Sequence, residues 1–235
     1  MRLKDVGIML TPTFRAFAYL QKLVKNGMYP GYALILGSKD RNYFKKISEQ
    51  NKLNFFERFE DFKATLSKYK IGFDEVDAVD CNDENVIEAI KKRQENYFIF
   101  TGGGILKENM LNLGKKFIHV HSGILPKYRG STCIYYSIIK EDNCGATAFF
   151  MSEGIDAGNI IAKKTFKKPR ISNIDYEYDC HIRSEVLLEI MKDYAANGKF
   201  SSVPQNPDEG GMYFIIHPVL KHLAILSCIG QNRNI

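Results

Sequence analysis

The sequence predicts an α/β fold: a Rossmann-like, mostly parallel twisted sheet with helices on both faces and a short C-terminal extension. Two observations predict it. Short apolar runs alternate with amphipathic stretches through the first half of the chain. That rhythm belongs to successive β-α-β units, whose strands run parallel and are covered on both sides. After residue 145, two further apolar runs are joined by a short glycine-containing connection, which suits antiparallel pairing.

The elements follow in order. Residues 5–11 (DVGIMLT) form a buried strand. Residues 14–26 place Phe14, Phe17, Ala18, Leu20 and Val24 on one helical stripe, and Gly27 stops that helix. Residues 32–36 (YALIL) are a second strand. A charged amphipathic helix over 59–69 leads to a short third strand at 75–79. A helix then opens at Asn82 and runs to about Arg93; its Asn or Asp cap and acidic first turn answer the free N–H groups of a helix start. Residues 97–101 (YFIFT) are strand four, 105–113 a helix, and 117–121 (FIHVH) strand five. Beyond lie strands at 146–151 and 160–166, one long helix over 176–196 ending at Gly198, and a tail that is polar, then apolar at 212–216 and 219–225. Right-handed crossovers put the carboxyl ends of parallel strands along one edge, where such sheets bind ligands. The run Gly102-Gly103-Gly104 and the pair His119 and His121 fall at that edge.

Composition narrows the class. Of 235 residues, 45% are hydrophobic and 26% charged, which excludes a disordered chain, a collagen-like fibre and a coiled-coil rod. No stretch approaches the roughly 20 apolar residues of a membrane span. The basic start and apolar run of the N-terminus lack a small-residue cleavage site, so that run reads as a strand. The five cysteines are odd in number and form no CxxC, which fits free thiols in a reducing, cytoplasmic setting. Thirty-three Lys and Arg against 27 Asp and Glu leave +6, spread widely. The expected partner is a small molecule, not nucleic acid or a membrane, and a homodimer is compatible.

The densest polar constellation is HVHSGILPKYRG over 119–130. Residues i and i+2 of a strand share a face, so the two imidazoles project together. Asp156 lies in the turn Gly154-Ile-Asp-Ala-Gly158, where an Asp is ordinarily structural unless the fold carries it to the histidines. The glycine run at 102–104 lets a ligand approach the backbone, but it is neither GxGxxG nor a Walker A. His119, His121 and Asp156 also compose a two-His-one-carboxylate set, so a metal site stays open as an alternative. His181 is read as pairing with Glu177, one turn away. His217 and His222 are read as packing or surface residues, and Tyr135-Tyr136 either as core or as a wall of the site.

These residues resemble the folate-dependent formyltransferases: the glycinamide ribonucleotide, methionyl-tRNA and nucleotide-sugar enzymes. Their shared pattern is Asn-x-His-x-Ser-x-Leu-Pro, then a Lys/Arg-Gly segment. The run from Phe117 to Gly130 is similar to it, the run from Gly145 to Ile161 to the family's second signature, and residues 101–107 to the loop before them. The resemblance implies a formyltransferase-like catalytic domain over 1–170, with a C-terminal helix and tail over 171–235. It implies 10-formyltetrahydrofolate as co-substrate, with His121 as acid/base group and Asp156 as its partner. The family's Asn falls on His119, here the candidate oxyanion donor, and its Ser falls on Gly123. The implied folate contacts are Gly103, Gly104, Ile105, Leu106, Met151, Glu153, Gly154 and Ile155. Thr13, Arg15, Lys127 and Arg129 are the expected acceptor contacts. Only about 65 residues follow Arg170, and residues 11–13 read Thr-Pro-Thr where the purine-pathway enzymes carry a glycine-containing phosphate loop. A small amine, such as an amino sugar on a nucleotide carrier, is the expected acceptor. The remaining alternative is a non-catalytic folate- or nucleotide-binding module.

Overall fold

The computed structural model describes residues 1–37, 55–57, 61–206 and 208–230. A seven-stranded sheet carries the fold. Its strands are β1 (Arg2–Leu10), β2 (Tyr29–Leu36), β3 (Gly72–Val76), β4 (Tyr97–Phe100), β5 (Lys116–His121), β7 (Asn143–Phe150) and β8 (Ile160–Lys167). Their order is β3-β2-β1-β4-β5-β7-β8. The first five are parallel, while β7 runs antiparallel to β5 and β8 to β7. A second, two-stranded sheet pairs β6 (Tyr128–Gly130) with β9 (Gly211–Tyr213).

Alternate side chains of the central strands feed two cores. Val6, Ile8 and Leu10 of β1 face one, and Met9 the other. Double burial is why these strands read as continuous apolar runs. On the first face lie α1 (Phe14–Lys25), α5 (Cys133–Glu141), α6 (Asp179–Asn197) and α7 (Pro218–Ile229). On the second lie α3 (Glu84–Lys91) and α4 (Glu108–Leu111), through Val86, Ile90 and Met110. The helix α2 (Phe62–Lys68) adds Phe62 and Leu66 to the first core. Thr13, Asp61 and Asp83 cap α1, α2 and α3 by accepting backbone N–H bonds.

Several expectations shift. The third strand lies at Gly72–Val76 rather than 75–79, because its register is set by pairing with Tyr32 to Leu36. The helix expected over 105–113 shrinks to Glu108–Leu111, since the residues before it form a loop at the sheet edge. The helix expected from residue 59 starts at Phe62, and residues 59 and 60 lie outside the described residues. The long helix starts at Asp179, after a π-helical turn at Ile174–Tyr178. Helix α5 was not foreseen; its N-cap Thr132 is left-handed and makes no side-chain cap bond. Past residue 170, Ile182, Val186, Leu187 and Ile190 share one core with Leu3 and Val6. All five cysteines are free and buried. Among the described residues, no helix is long and apolar enough to cross a membrane.

Candidate active site

The carboxyl ends of β4 and β5 open into a cleft of about 470 Å³. Its lining includes Arg15, residues 102–105, His119, His121, Asp156 and Arg183. The segment 212–215 closes another side.

Each wall is held in place. Thr101, at the end of β4, donates to the Met9 carbonyl (2.7 Å) and accepts from the Thr11 N–H (3.1 Å). Those bonds tie the glycine loop to β1. Thr13 caps α1 and also reaches the Thr101 carbonyl (3.4 Å). Arg15 donates to the Gly102 carbonyl (3.1 Å). The loop after β5 is fixed by Thr147, whose hydroxyl donates to the Gly123 carbonyl (2.7 Å) and accepts from the Leu125 N–H (3.1 Å). Gln205 donates to the Asp156 and Gly158 carbonyls, both at 2.7 Å, pinning the Asp156 turn.

His121 and Asp156 come together, 35 positions apart in sequence. His121 Nδ1 stands 3.4 Å from Asp156 Oδ2, with the side chains 6% and 13% exposed. Nε2 of the same ring lies 2.8 Å from the Tyr128 carbonyl. A carbonyl only accepts, so Nε2 carries the hydrogen. Asp156 Oδ2 also accepts the Gly130 N–H (2.8 Å). Nδ1, facing the Asp156 carboxylate, is therefore the ring nitrogen left to take up and release a proton. Burial lowers the His121 pKa, and the Asp156 carboxylate opposes it. Gly123 has no room for a side chain here: a Cβ would stand 2.7 Å from His121 Nε2 and 2.9 Å from the Tyr128 carbonyl.

His119 packs between Phe100 and Phe149, at ring separations of 6.0 and 5.8 Å. Burial pushes its pKa well below the ordinary histidine value, and Arg15 and Arg183 add to the effect. It is a neutral imidazole at pH 7, with one N–H to donate. Its Nδ1 is buried with no partner in hydrogen-bonding geometry, although the Phe100 carbonyl faces the ring.

Arg183 was not anticipated from the sequence. It spans from α6 to the end of β5, donating to the Val120 carbonyl (2.9 Å) and Ser122 Oγ (2.7 Å) and pairing with Asp179 (2.8 Å). Its only signal in the sequence is the i,i+4 spacing from Asp179, which any exposed helix could show. The segment 212–215 was equally hidden: β6–β9 pairing brings it in, with the Ile216 N–H bonded to Thr132 Oγ1 (2.9 Å).

The other expected contacts divide. Gly103, Gly104, Ile105 and Ile155 line the cleft. Leu106 is buried in the second core. Met151, Glu153 and Gly154 line a neighbouring depression with Lys115 and Asn159. Thr13 lines an adjoining pocket of about 300 Å³ that shares residues 102–105. Lys127 and Arg129 do not line the cleft. Lys127 pairs with Glu141, and Arg129 donates to the Asn206 carbonyl (3.1 Å). Tyr135 is buried, bonded to Asp175 (2.6 Å), and does not wall the site. His181 approaches Glu185 (3.7 Å) rather than Glu177, and stacks on Phe55 (4.1 Å). His217 caps α7.

The metal alternative finds no support in the donor geometry. Both ring nitrogens of His121 are engaged, and among the described residues no three His, Cys, Asp or Glu are placed to hold an ion. Ile105 and Ile155, 57% and 47% exposed, are apolar side chains on the cleft wall. Nothing stands within 4 Å of where a Cβ of Gly103 or Gly104 would be, so a ring can lie against that backbone.

Fold and site together define an α/β protein with a buried His–Asp pair in a cleft at the carboxyl ends of its central strands. Residues 13–174 match the formyl transferase family, and the chain belongs to it. A methionyl-tRNA formyltransferase of Finegoldia magna is 25% identical over 176 residues, covering 73% of this chain and 56% of that protein. One from Staphylococcus epidermidis is 30% identical over 129 residues, covering 53% and 41%. The chain thus spans about half the length of the curated relatives it matches. Among solved structures, an N-formyltransferase from Helicobacter canadensis in complex with folinic acid and dTDP-3-aminofucose superposes with a TM-score of 0.61 at 17% identity. That match covers 97% of this chain and 81% of that one. A sugar N-formyltransferase from Shewanella gives 0.59 at 15% identity, covering 95% and 87%. At these identities the likeness shows the fold.

Proposed function

We propose that this protein transfers a formyl group from 10-formyltetrahydrofolate to the amine of a small acceptor, an amino sugar on a nucleotide carrier. The observation that carries the reading is the buried His121–Asp156 pair, 3.4 Å apart, opening on a cleft beside an exposed glycine loop. In the reaction the acceptor nitrogen bonds to the formyl carbon, the bond from that carbon to the folate nitrogen breaks, and one proton passes from the amine to the departing folate nitrogen. The His121–Asp156 pair holds and exchanges that proton at Nδ1, since Nε2 is committed to the Tyr128 carbonyl. His119, neutral and on the cleft wall, donates its N–H to the oxyanion that develops on the formyl oxygen. Ile105, Ile155 and the backbone of residues 102–105 hold the pterin.

The acceptor class is supported by architecture. In structural superposition this chain covers 87% and 81% of two sugar N-formyltransferases and 74% of a methionyl-tRNA formyltransferase. The test is release of tetrahydrofolate from 10-formyltetrahydrofolate with a panel of acceptors: nucleotide-linked amino sugars, glycinamide ribonucleotide and methionyl-tRNA. Turnover with an amino sugar, lost on His121→Ala, is the expected result. Turnover with methionyl-tRNA alone would replace the acceptor, and turnover with none would remove the activity.

A further inference from the structure

Two guanidinium groups line the cleft beside His119, and they are not equivalent. Arg183 donates to a carbonyl and a hydroxyl and forms an ion pair with the Asp179 carboxylate. Among the described residues the one hydrogen bond of Arg15 is from Nη1 to the Gly102 carbonyl. Its Nε is buried without a hydrogen-bond partner, as is that of Arg183, but where Arg183 has the Asp179 carboxylate, no carboxylate among the described residues forms an ion pair with Arg15. The Tyr19 hydroxyl, one turn along α1, and His119 Nδ1 are also buried without partners.

The charges of the cleft leave Arg15 exceptional. Asp179 pairs with Arg183, and His119 is uncharged. Among the described residues no carboxylate lies within ion-pairing distance of Arg15, which stands on a cleft wall and in the first turn of α1, where the helix dipole adds to its charge. A buried guanidinium without a counter-ion is costly in an apo protein. It becomes favourable when a bound molecule brings the anion.

We infer that Arg15 is the docking point for an anionic oxygen group carried by the amine acceptor, a phosphate or a carboxylate. This rests on the transferase reading for the identity of the ligand, but the anion site stands on its own geometry. Neutral amines then bind weakly, and the anionic group sets which end of the acceptor faces His121. Two sources share this chemistry: a phosphate of the nucleotide carrier and a carboxylate on the sugar.

The first arm needs no catalysis. The Nε–H resonance of Arg15, assigned by its loss in Arg15→Lys, is followed by ¹⁵N NMR in the unmodified protein. The probes are thymidine diphosphate against thymidine, and glucuronate against glucose, at constant ionic strength. A saturable shift with one charged probe and not its neutral twin supports the site and names the source. No shift with either overturns it. The second arm uses an acceptor from the panel above. Arg15→Gln is expected to raise KM roughly 10- to 100-fold, the value of a charge-assisted hydrogen bond, with a much smaller change in kcat. Arg15→Lys is expected to recover part of the loss. A fall in kcat equal for all acceptors, with KM unmoved, places Arg15 at the reacting carbonyl and overturns the proposal. The two readings fail separately. A saturating Arg15 shift with no formyl transfer removes the transferase and keeps the anion site. Transfer that ignores the acceptor's charge, with Arg15 silent, does the reverse.

Discussion

Replacing Asp156 by Asn tests the proton geometry at the centre of the site. A single oxygen, Oδ2, serves two neighbours: it accepts the Gly130 N–H at 2.8 Å and faces His121 Nδ1 at 3.4 Å. If the Asn oxygen takes that place, Gly130 is satisfied, but His121 must carry protons on both nitrogens with no carboxylate to balance the charge. If the Asn nitrogen takes it, two N–H donors meet head-on. Neither flip restores the pair. The loss is that of the negative charge that favours a protonated His121 ring, and the general acid–base contribution goes with it, roughly 10²- to 10⁴-fold in kcat/KM. The assay is tetrahydrofolate release at saturating donor, with ¹⁵N NMR of the His121 ring. The expected spectrum shows His121 protonating at lower pH in the variant than in the parent, because the carboxylate that favours the charged ring is gone. A variant with kcat/KM within threefold of the parent, and an unchanged His121 titration, would refute the paired acid–base argument.

Other expectations concern stability. Gly130 adopts φ +103° and a Cβ there would stand 2.1 Å from the Tyr213 carbonyl. Gly130→Ala is expected to cost about 2–5 kcal/mol from backbone strain and overpacking, seen as a lower urea midpoint; an unchanged midpoint contradicts the close approach. Arg183→Ala leaves Asp179 alone in a site where both side chains are 12% exposed; the expected loss is about 3–5 kcal/mol, with Arg183→Lys intermediate. His119 is held neutral in the fold, so below its ordinary pKa of 6.5 the unfolded chain binds a proton the native state refuses. Its contribution is complete above that pH and lost as pH falls, at about 1.4 kcal/mol per pH unit. His119→Asn, restoring the residue of the family pattern, is expected to flatten the acid side of the stability curve by that slope. An identical slope in parent and variant would show that His119 titrates freely.

Much of this protein is legible in its residues alone. The alternation of apolar runs and helical stripes determines a parallel sheet, because a doubly buried strand must be apolar throughout and a covering helix apolar on one side only. Position on that sheet places His119, His121 and residues 102–104 at one edge, and the spacing to Asp156 belongs to the family pattern. Tertiary structure decided the rest, for reasons of reach. Lys127 and Arg129 sit within the signature, yet Glu141 and Asn206 draw them away from the cleft. Arg183 and the segment 212–215 are distant in sequence and carry no local mark, yet α6 packing and the β6–β9 pairing bring both to the site. Which ring nitrogen of His121 bears the proton was likewise undecidable from the chain. A backbone carbonyl, that of Tyr128, settles it, and backbone groups are the same in every sequence until folding aims them.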